Sequence, residues 1–302
     1  MLEHLLTEQR NPASQSIDTL PVESILAIVN AEDRKVADAV AGEIQWIAKA
    51  VEGIVERMRE GGRLFYIGAG TSGRLGVLDA TECPPTFHVP PDLVQGIIAG
   101  GESALARATE ATEDDPALGA RDLVERGFQA ADALVGISAS GRTPYVLGAI
   151  RKAREMGALT IGISFTPDSE LSRAVEIPIE PLTGPEVITG STRMKAGTAT
   201  KLVLNMLSTA AMIRLGHVYG NWMVNVQPTN SKLRDRAIRI VAEAAGIAPE
   251  RAAGLLDEAG GTVKVAIVMA RLGIGREQAC ERLRQAGGRI SDALETKPPA
   301  KP

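Results

Sequence analysis

The sequence predicts an α/β fold: a doubly wound parallel sheet with an N-terminal helical arm and a small C-terminal helical bundle. Five short apolar runs, rich in β-branched residues, are separated by segments long enough for helices. Runs that are apolar on both faces are typical of parallel strands covered by helices on both sides. The predicted strands are Leu64 to Ile67, Val94 to Ala99, Ala133 to Ile137, Leu159 to Ser164 and Val175 to Ile179.

The residues before the first strand divide into an arm and a helix. Residues 1–22 are polar and include two prolines, which predicts an extended arm with little regular structure. Apolar side chains then recur every three or four positions from Val36 to Met58, which is the pattern of one long helix. The glycine pair at 61–62 is expected to end this helix.

From Lys195 onward the sequence predicts helices. A long apolar helix is expected from about Lys195 to Leu215. We expect one domain over 1–245, a helical bundle over 246–296 and a disordered Pro-rich tail over 297–302. The predicted bundle helices, which glycine breaks separate, are Pro249 to Glu258, Thr262 to Leu272 and Arg276 to Ala286.

Composition excludes several classes of protein. The chain has 302 residues, with 33 Lys+Arg against 37 Asp+Glu and a formal net charge of −4. Without a basic cluster, nucleic-acid binding is disfavoured. Two distant cysteines and three scattered histidines predict neither a disulfide framework nor a His-based metal site. Since no secretory leader or membrane-length apolar stretch is recognisable, we expect a cytoplasmic protein without membrane contact.

A glycine loop follows the first predicted strand. In GAGTSG, Gly68, Gly70 and Gly73 match the pattern G-x-G-x-x-G, which places backbone amides around a phosphate or pyrophosphate at a helix N-terminus. A dinucleotide site would also need an acidic residue at the end of the second strand, where an Ala-Gly-Gly run stands instead. The hydroxyls of Thr71 and Ser72 favour a phosphate monoester. A purely structural glycine turn is the alternative.

A second loop rich in hydroxyl groups, SASGRTP, follows the third predicted strand. Ser138, Ser140 and Thr143 surround Gly141 in this loop. Ligands of open α/β sheets bind outside the carboxyl ends of the strands, so both loops are expected to meet at one phosphate site. The alternative is that the serines only cap the helix that follows.

Two glutamates are candidates for acid–base chemistry. Neither loop contains a nucleophile elbow or a Walker A lysine, which leaves proton transfer on a phosphorylated metabolite. Glu82 is expected at the end of the helix that the first loop opens, where the prolines at 84–85 would break the chain, and Glu113 precedes Pro116. Ordinary solvated glutamates are the alternative. The acids at 114–115 could suggest a metal, but a helix or turn cap is the commoner role.

These residues lie in longer strings that resemble the N-acetylmuramic acid 6-phosphate etherase family. The resemblance runs from about Leu6 to Asn225 and through the C-terminal bundle. The strings are TEQRNP (Thr7 to Pro12), GAGTSGRLGVLDATECPPTF (Gly68 to Phe87), ATEDD (Ala111 to Asp115), GISASGRTPYV (Gly136 to Val146) and GSTRMKAGTATKLVLNMLST (Gly190 to Thr209).

The resemblance implies a sugar-isomerase-type domain in a homodimer, acting on a phosphosugar without metal or cofactor. The implied reaction cleaves the lactyl ether of N-acetylmuramic acid 6-phosphate. The resemblance implies that Glu82 protonates the lactate and activates water and that Glu113 takes the carbon 2 proton. The reverse assignment of these two roles stays open. The implied phosphate and sugar residues are Gly70, Thr71, Ser72, Gly73, Ser138, Ser140, Gly141 and Thr143.

The string GSTRMK offers further candidates. Ser191, Arg193 and Lys195 could bind the sugar or the lactate carboxylate, since a cation suits an anionic substrate. The alternative is a capped helix start with an exposed lysine.

Two other functions compete with the etherase. One is a non-catalytic phosphosugar-binding regulator. The other is an aldose–ketose phosphate isomerase, which would need a ring-opening histidine such as His88, whose position after PPTF favours a structural role. The presence of both Glu82 and Glu113 favours the etherase.

Overall fold

The computed structural model describes residues 6–107 and 112–295, so the predicted tail at 297–302 lies outside the described residues. The chain forms two compact units. The first contains the residues up to Glu82 together with Pro91–Ser208, and the second contains Cys83–Pro90 and the residues from Thr209 onward. This division differs from the expected boundary at residue 245.

The first unit is built on a five-stranded sheet in the order β2-β1-β3-β4-β5. All four strand pairs are parallel, which confirms the predicted sheet. Each predicted strand is present, with ends that differ by up to two residues. The strands are β1 (Leu64–Gly68), β2 (Val94–Ile98), β3 (Ala133–Ile137), β4 (Leu159–Ile163) and β5 (Ile177–Ile179).

Helices connect the strands and cover both faces of the sheet. Phe65 lies in one apolar cluster with Leu123 and Tyr145, whereas Gly76 packs against Tyr66, whose side chain points to the other face. Helices on both faces confirm the doubly wound architecture. The helices that begin in this unit are α1 (Val22–Asp33), α2 (Lys35–Ala41), α3 (Ile44–Arg59), α4 (Gly70–Phe87), α5 (Ser103–Ala106), α6 (Pro116–Glu125), α7 (Pro144–Glu155), α8 (Glu170–Ala174) and α9 (Lys195–Arg214).

Three expectations about these helices were wrong. The single helix expected from Val36 to Met58 is interrupted after Ala41, where Gly42 and Glu43 separate α2 from α3. Sequence reasoning missed α1, although Val22, Ile25, Leu26 and Val29 recur with helical spacing. The prolines at 84–85 do not break α4, which continues to Phe87. They lie in its last turn, which loses the two N–H donors that proline lacks but still closes with a 2.9 Å hydrogen bond from His88 N to the Pro84 carbonyl.

The second unit contains a short hairpin and five helices. The helices predicted at 249–258, 262–272 and 276–286 are confirmed, whereas α10 and α14 were not predicted. Ile240 and Val241 of α10 lie in the same apolar cluster as Leu256 and Val268, so α10 belongs with the bundle. The elements are β6 (Val218–Tyr219), β7 (Trp222–Met223), α10 (Ser231–Ala245), α11 (Pro249–Glu258), α12 (Val263–Leu272), α13 (Arg276–Gln285) and α14 (Ile290–Glu295).

The N-terminal arm is fastened to the first unit. It forms three short 3-10 turns, at Leu6–Glu8, Pro12–Ser14 and Ile17–Thr19, rather than an irregular extended segment. The Asn11 side-chain amide donates hydrogen bonds to Glu32 Oε2 and to the carbonyl of residue 185, both at 2.9 Å. The arm thus has local regular structure in its 3-10 turns and is held by the hydrogen bonds of Asn11. The expectation of little regular structure was wrong.

A buried ion pair lies beneath the arm. Lys195 Nζ is 2.6 Å from Glu32 Oε2, and the two side chains are 1% and 5% exposed. Lys35 and Asn11 also donate to the Glu32 carboxylate. Burial alone would raise the pKa of Glu32, but the hydrogen bonds from Lys195, Lys35 and Asn11 outweigh it and lower the pKa to about 2. The Glu32 carboxylate therefore stays charged at neutral pH.

Helix α9 begins beside this pair, and its first amides are capped by a distant side chain. Glu186 accepts hydrogen bonds from Lys195 N at 3.0 Å and from Ala196 N at 2.9 Å. These amides would otherwise lack partners, since the first turn of a helix cannot satisfy its own N–H groups.

None of the helices in residues 6–107 and 112–295 has both the length and the apolar composition needed to cross a membrane.

We expect Glu32→Gln to lower the free energy of unfolding by about 3 kcal/mol at pH 7, because it leaves the Lys195 ammonium buried without a counter-charge. The folded-state pKa of about 2 lies below the ordinary value of 4.5, so the carboxylate contributes its full stability above pH 4.5 and loses it as the pH falls towards 2. Urea denaturation between pH 7 and pH 2 checks both effects. The matched control is Glu23→Gln, at an exposed glutamate of the same helix.

The difference between the wild type and Glu32→Gln should shrink over that acid range, while Glu23→Gln stays within about 0.5 kcal/mol of the wild type at pH 7. A constant difference down to pH 2 would contradict the assignment of the charge to Glu32.

Candidate functional site

The first glycine loop leads directly into α4. Gly70 has a φ of +53°, a left-handed conformation that glycine adopts without strain, and Gly73 is buried in the first turn. Thr71 and Ser72 are half-buried in the same turn. The loop therefore presents two hydroxyl groups and the open N-terminus of an eighteen-residue helix, an arrangement that suits an anion.

Hydrogen bonds between Ser138 and Thr143 stabilise the second loop. The buried Ser138 Oγ lies 2.8 Å from Thr143 Oγ1 and accepts a hydrogen bond from Thr143 N at 3.3 Å. Ser138 thus stabilises the loop from within, whereas the N-cap of α7 is Thr143 and that helix has no side-chain cap. Gly141 has a φ of +68°, and a Cβ atom there would overlap the Ser169 side chain. Ser140 is half-buried, and its hydroxyl has no hydrogen-bond partner within the described ranges, which leaves it available to a ligand.

Both loops lie at the carboxyl edge of the sheet. Gly68 at the end of β1 is paired with Ile137 at the end of β3, and the two loops follow these residues directly. This is the edge at which ligands of open α/β sheets bind.

Glu113 lies between the two loops. A Cβ atom on Gly70 of the first loop would be 3.5 Å from Glu113 Oε1. The backbone carbonyl of Glu113 accepts a hydrogen bond from Tyr145 N at 3.0 Å, in the first turn of the helix that follows the second loop. The structure therefore brings the half-buried Glu113 to the edge where both loops lie.

The helices on either side of this glutamate pack with their backbones in contact. A Cβ atom at Gly119 of α6 would overlap the carbonyl of Tyr145, and one at Gly148 of α7 would overlap the carbonyl of Pro116. Asp115 caps α6, accepting hydrogen bonds from Ala117 N at 2.8 Å and Leu118 N at 3.2 Å. The capping interpretation of the acids at 114–115 is confirmed for Asp115. The described ranges contain no cluster of metal-binding side chains.

Glu82 is not at this edge. It lies in α4, twelve residues beyond Gly70, and its side chain is exposed. A helix rises about 1.5 Å per residue, which places Glu82 about 18 Å further along the helix axis. Within one chain the structure does not bring Glu82 and Glu113 together.

The start of α9 adjoins the first loop. A Cβ atom on Gly197 would lie 3.5 Å from Thr71 Cγ2. Ser191 is half-buried and Arg193 is exposed. Lys195 was expected either to bind substrate or to be exposed, but its ammonium is buried against Glu32. The expectation of an exposed lysine was wrong because the charge is satisfied by a carboxylate inside the protein.

Sequence reasoning missed the residues that hold the site in place. Glu32 and Glu186 stand in no motif, and Asn11 was noted only as part of the string TEQRNP. Arg74, in the second turn of α4, donates hydrogen bonds to the carbonyls of Leu105 and Arg107. It thereby restrains the segment that leads towards Glu113.

Tyr145 does not supply the acid–base chemistry. Its hydroxyl donates a 2.7 Å hydrogen bond to Asp122 Oδ2. Burial, together with this bond to a carboxylate, raises the pKa of Tyr145 further above its ordinary value. The phenol therefore stays protonated, and Glu113 is the carboxylate that the structure places beside Gly70. Such an arrangement can bind a phosphate ester and move a proton on it.

The chain is similar to known proteins both over one domain and over most of its length. Residues 46–154 match the family model described as the glucokinase regulatory protein N-terminal SIS domain. Much longer matches come from proteins named N-acetylmuramic acid 6-phosphate etherase. The one from Prochlorococcus marinus (strain MIT 9303) is 55% identical over 266 residues, which cover 88% of this chain and 84% of that protein.

Relatives from other bacteria are similar to the same degree. The etherase of Rubrobacter xylanophilus is 54% identical over 267 residues, covering 88% of this chain and 89% of its own length. That of Yersinia pestis (strain Pestoides F) is 54% identical over 265 residues, covering 88% and 90%. On this similarity, the chain belongs to the N-acetylmuramic acid 6-phosphate etherase family.

Proposed function

We propose that this chain cleaves the D-lactyl ether of N-acetylmuramic acid 6-phosphate with water, giving N-acetylglucosamine 6-phosphate and D-lactate. Family membership supports the substrate. The observation that supports the chemistry is the carboxylate of Glu113 beside Gly70. It lies at the carboxyl edge of the sheet, where the two loops rich in hydroxyl groups follow their strands.

The reaction proceeds as an elimination followed by a hydration. In the open-chain sugar, the aldehyde at carbon 1 acidifies the hydrogen on carbon 2, and a carboxylate removes it. The lactate then leaves carbon 3 and needs a proton, because an alkoxide is a poor leaving group. Water adds to carbon 3 of the resulting unsaturated aldehyde, and carbon 2 is protonated again. Since ether cleavage by water involves no net oxidation or reduction, the chemistry needs no redox cofactor.

Two glutamates serve as base and acid. In the homodimer that the resemblance implies, Glu113 of one chain takes the carbon 2 proton, and Glu82 of the second chain protonates the lactate oxygen and then activates the water. The position of Glu113 at the loop edge supports its part of this assignment.

The phosphate is bound by the two loops and orients the sugar. The N-terminus of α4, the hydroxyls of Thr71 and Ser72, and the unpaired hydroxyl of Ser140 supply donors. Binding energy gained at the phosphate can then position the reacting carbons.

The cytoplasm is the proposed compartment. Cys83 and Cys280 are free, and Cys280 is exposed. An exposed free thiol persists best in a reducing environment.

The first experiment measures D-lactate release from N-acetylmuramic acid 6-phosphate, with the unphosphorylated sugar as the comparison. Release that depends on the phosphate supports the etherase. Binding of the phosphosugar without release would instead favour the non-catalytic regulator, an alternative in line with the match to a regulatory protein's SIS domain.

Replacing Glu113 with Gln should lower kcat by about 10²- to 10⁴-fold, because a general base contributes on this scale. Steady-state assays of D-lactate release check the loss. Asp114→Asn changes the exposed neighbouring acid and is the matched control, with kcat expected within about twofold of the wild type. Near-normal turnover by Glu113→Gln would remove Glu113 from the mechanism.

Replacing Ser140 with Ala should lower kcat/KM for the phosphorylated substrate by roughly ten- to a hundredfold, the value of one hydrogen bond to a charged group. Any residual turnover of the unphosphorylated sugar should stay unchanged, which separates phosphate binding from general damage. Ser24→Ala, on exposed α1, is the control. Equal losses with both substrates would argue against a phosphate contact at Ser140.

A further inference from the structure

The second loop, which carries Ser140, is held by the chain that follows β4. Phe165 N donates a 3.0 Å hydrogen bond to the carbonyl of Ala139, and Leu171 N donates a 2.9 Å hydrogen bond to the carbonyl of Gly141. Both neighbours of Ser140 are therefore fixed by one stretch of chain. We call this stretch, residues 164–172, the supporting segment.

The supporting segment makes a close contact with the second loop at Gly141. A Cβ atom on Gly141 would lie 2.3 Å from Ser169 Oγ and 3.3 Å from Ser164 Cβ. Ser169 is 5% exposed and Ser164 is 1% exposed. Hydroxyl groups that are removed from water need hydrogen-bond partners inside the protein.

These partners form a chain of hydroxyl groups that ends on a carboxylate. Ser169 Oγ lies 3.0 Å from Ser164 Oγ and 2.8 Å from Ser172 Oγ. Ser172 Oγ donates a hydrogen bond to Glu180 Oε1. Because a carboxylate only accepts hydrogen bonds, Glu180 fixes the direction of the Ser172 hydroxyl and leaves the Ser172 oxygen facing Ser169 as an acceptor.

Glu180 is itself fixed in the fold. It follows β5 directly, and its backbone N–H donates a 2.9 Å hydrogen bond to Glu43 Oε2 at the break between α2 and α3. Ser164 N donates a 3.1 Å hydrogen bond to the carbonyl of Ile179, the residue before Glu180. The chain of hydroxyl groups therefore joins the end of β5 to the turn at Gly141.

We propose that Glu180 and Ser172 are positioning residues for phosphate binding: through Ser169 they hold the turn at Gly141, which directs the Ser140 hydroxyl at the phosphate. The inference rests on the proposed function, in which the two loops bind the phosphate. A carboxylate in contact with a phosphate would repel it. The hydroxyl chain supplies the acceptor and keeps the charge of Glu180 away from the ligand.

The test measures the binding of N-acetylglucosamine 6-phosphate, the phosphosugar that the proposed reaction forms, by isothermal titration calorimetry. Glu180→Ala and Ser172→Ala should each raise Kd by roughly tenfold, because a displaced loop meets the phosphate in a poorer geometry. Assays of D-lactate release should show a similar rise in KM, with kcat within about twofold of the wild type. Destabilisation of the fold alone would lower the number of binding sites per chain and leave Kd unchanged.

Three comparisons separate positioning from other effects. Glu180→Gln keeps a carbonyl oxygen that accepts from Ser172, so its Kd should stay within about twofold of the wild type. Ser172→Ala keeps the backbone N–H that Ser169 caps at the start of α8, so an uncapped helix does not explain its loss. Glu170→Ala, at an exposed glutamate of the same helix, is the matched control and should leave Kd unchanged.

The double variant tests whether the two residues act through one chain of hydrogen bonds. Glu180→Ala/Ser172→Ala should raise Kd no further than either single change, because a chain that is already cut gives no more support to lose. Independent roles would multiply the two losses to about a hundredfold.

The outcomes separate this inference from the proposed function. An unchanged Kd in either single alanine variant, multiplied losses in the double variant, or a full loss in Glu180→Gln would each overturn the positioning role. Wild-type protein that binds the phosphosugar but releases no D-lactate overturns the etherase reaction, and the binding comparisons then still decide the positioning role. Wild-type protein that does not bind the phosphosugar overturns both.

Discussion

A charged amine removed from water must find a counter-charge, and this constraint on Lys195 organises the first unit. Its ammonium bonds to Glu32 of α1, and the same carboxylate accepts from Asn11 of the arm and from Lys35 of α2. Glu186 caps α9 at the residue that carries this ammonium. Electrostatics thus fastens the arm and the first helices to the start of α9, next to Thr71.

One feature of parallel sheets explains both the position of the two loops and the distance of Glu82 from them. Strands that all point the same way gather their following loops at one edge, which places Glu113 and the hydroxyl groups together. The same topology requires each crossover helix to run back to the other edge. Glu82, near the far end of α4, is therefore separated from Glu113, which lies beside Gly70 at the start of that helix.

The strands could be predicted because buried parallel strands leave continuous apolar runs, and the loops because glycine and hydroxyl residues mark them. The partner of Lys195 could not, since Glu32 is 163 positions away and only the folded chain brings the two together. Helix α1 was open to prediction, since Val22, Ile25, Leu26 and Val29 recur with helical spacing. The distance of Glu82 from the first loop was open to prediction, since Glu82 was expected at the end of the helix that this loop opens, whereas the position of Glu113 beside Gly70 depends on the folded chain.

The contact between α6 and α7 limits which residues this chain can carry at two positions. Gly119 and Gly148 take no part in the chemistry, yet each lets the other helix's backbone approach where a methyl group would overlap a carbonyl. Glu113 is bonded to the start of α7 and lies just before α6. The placement of Glu113 therefore depends on two positions whose side chain is a single hydrogen atom.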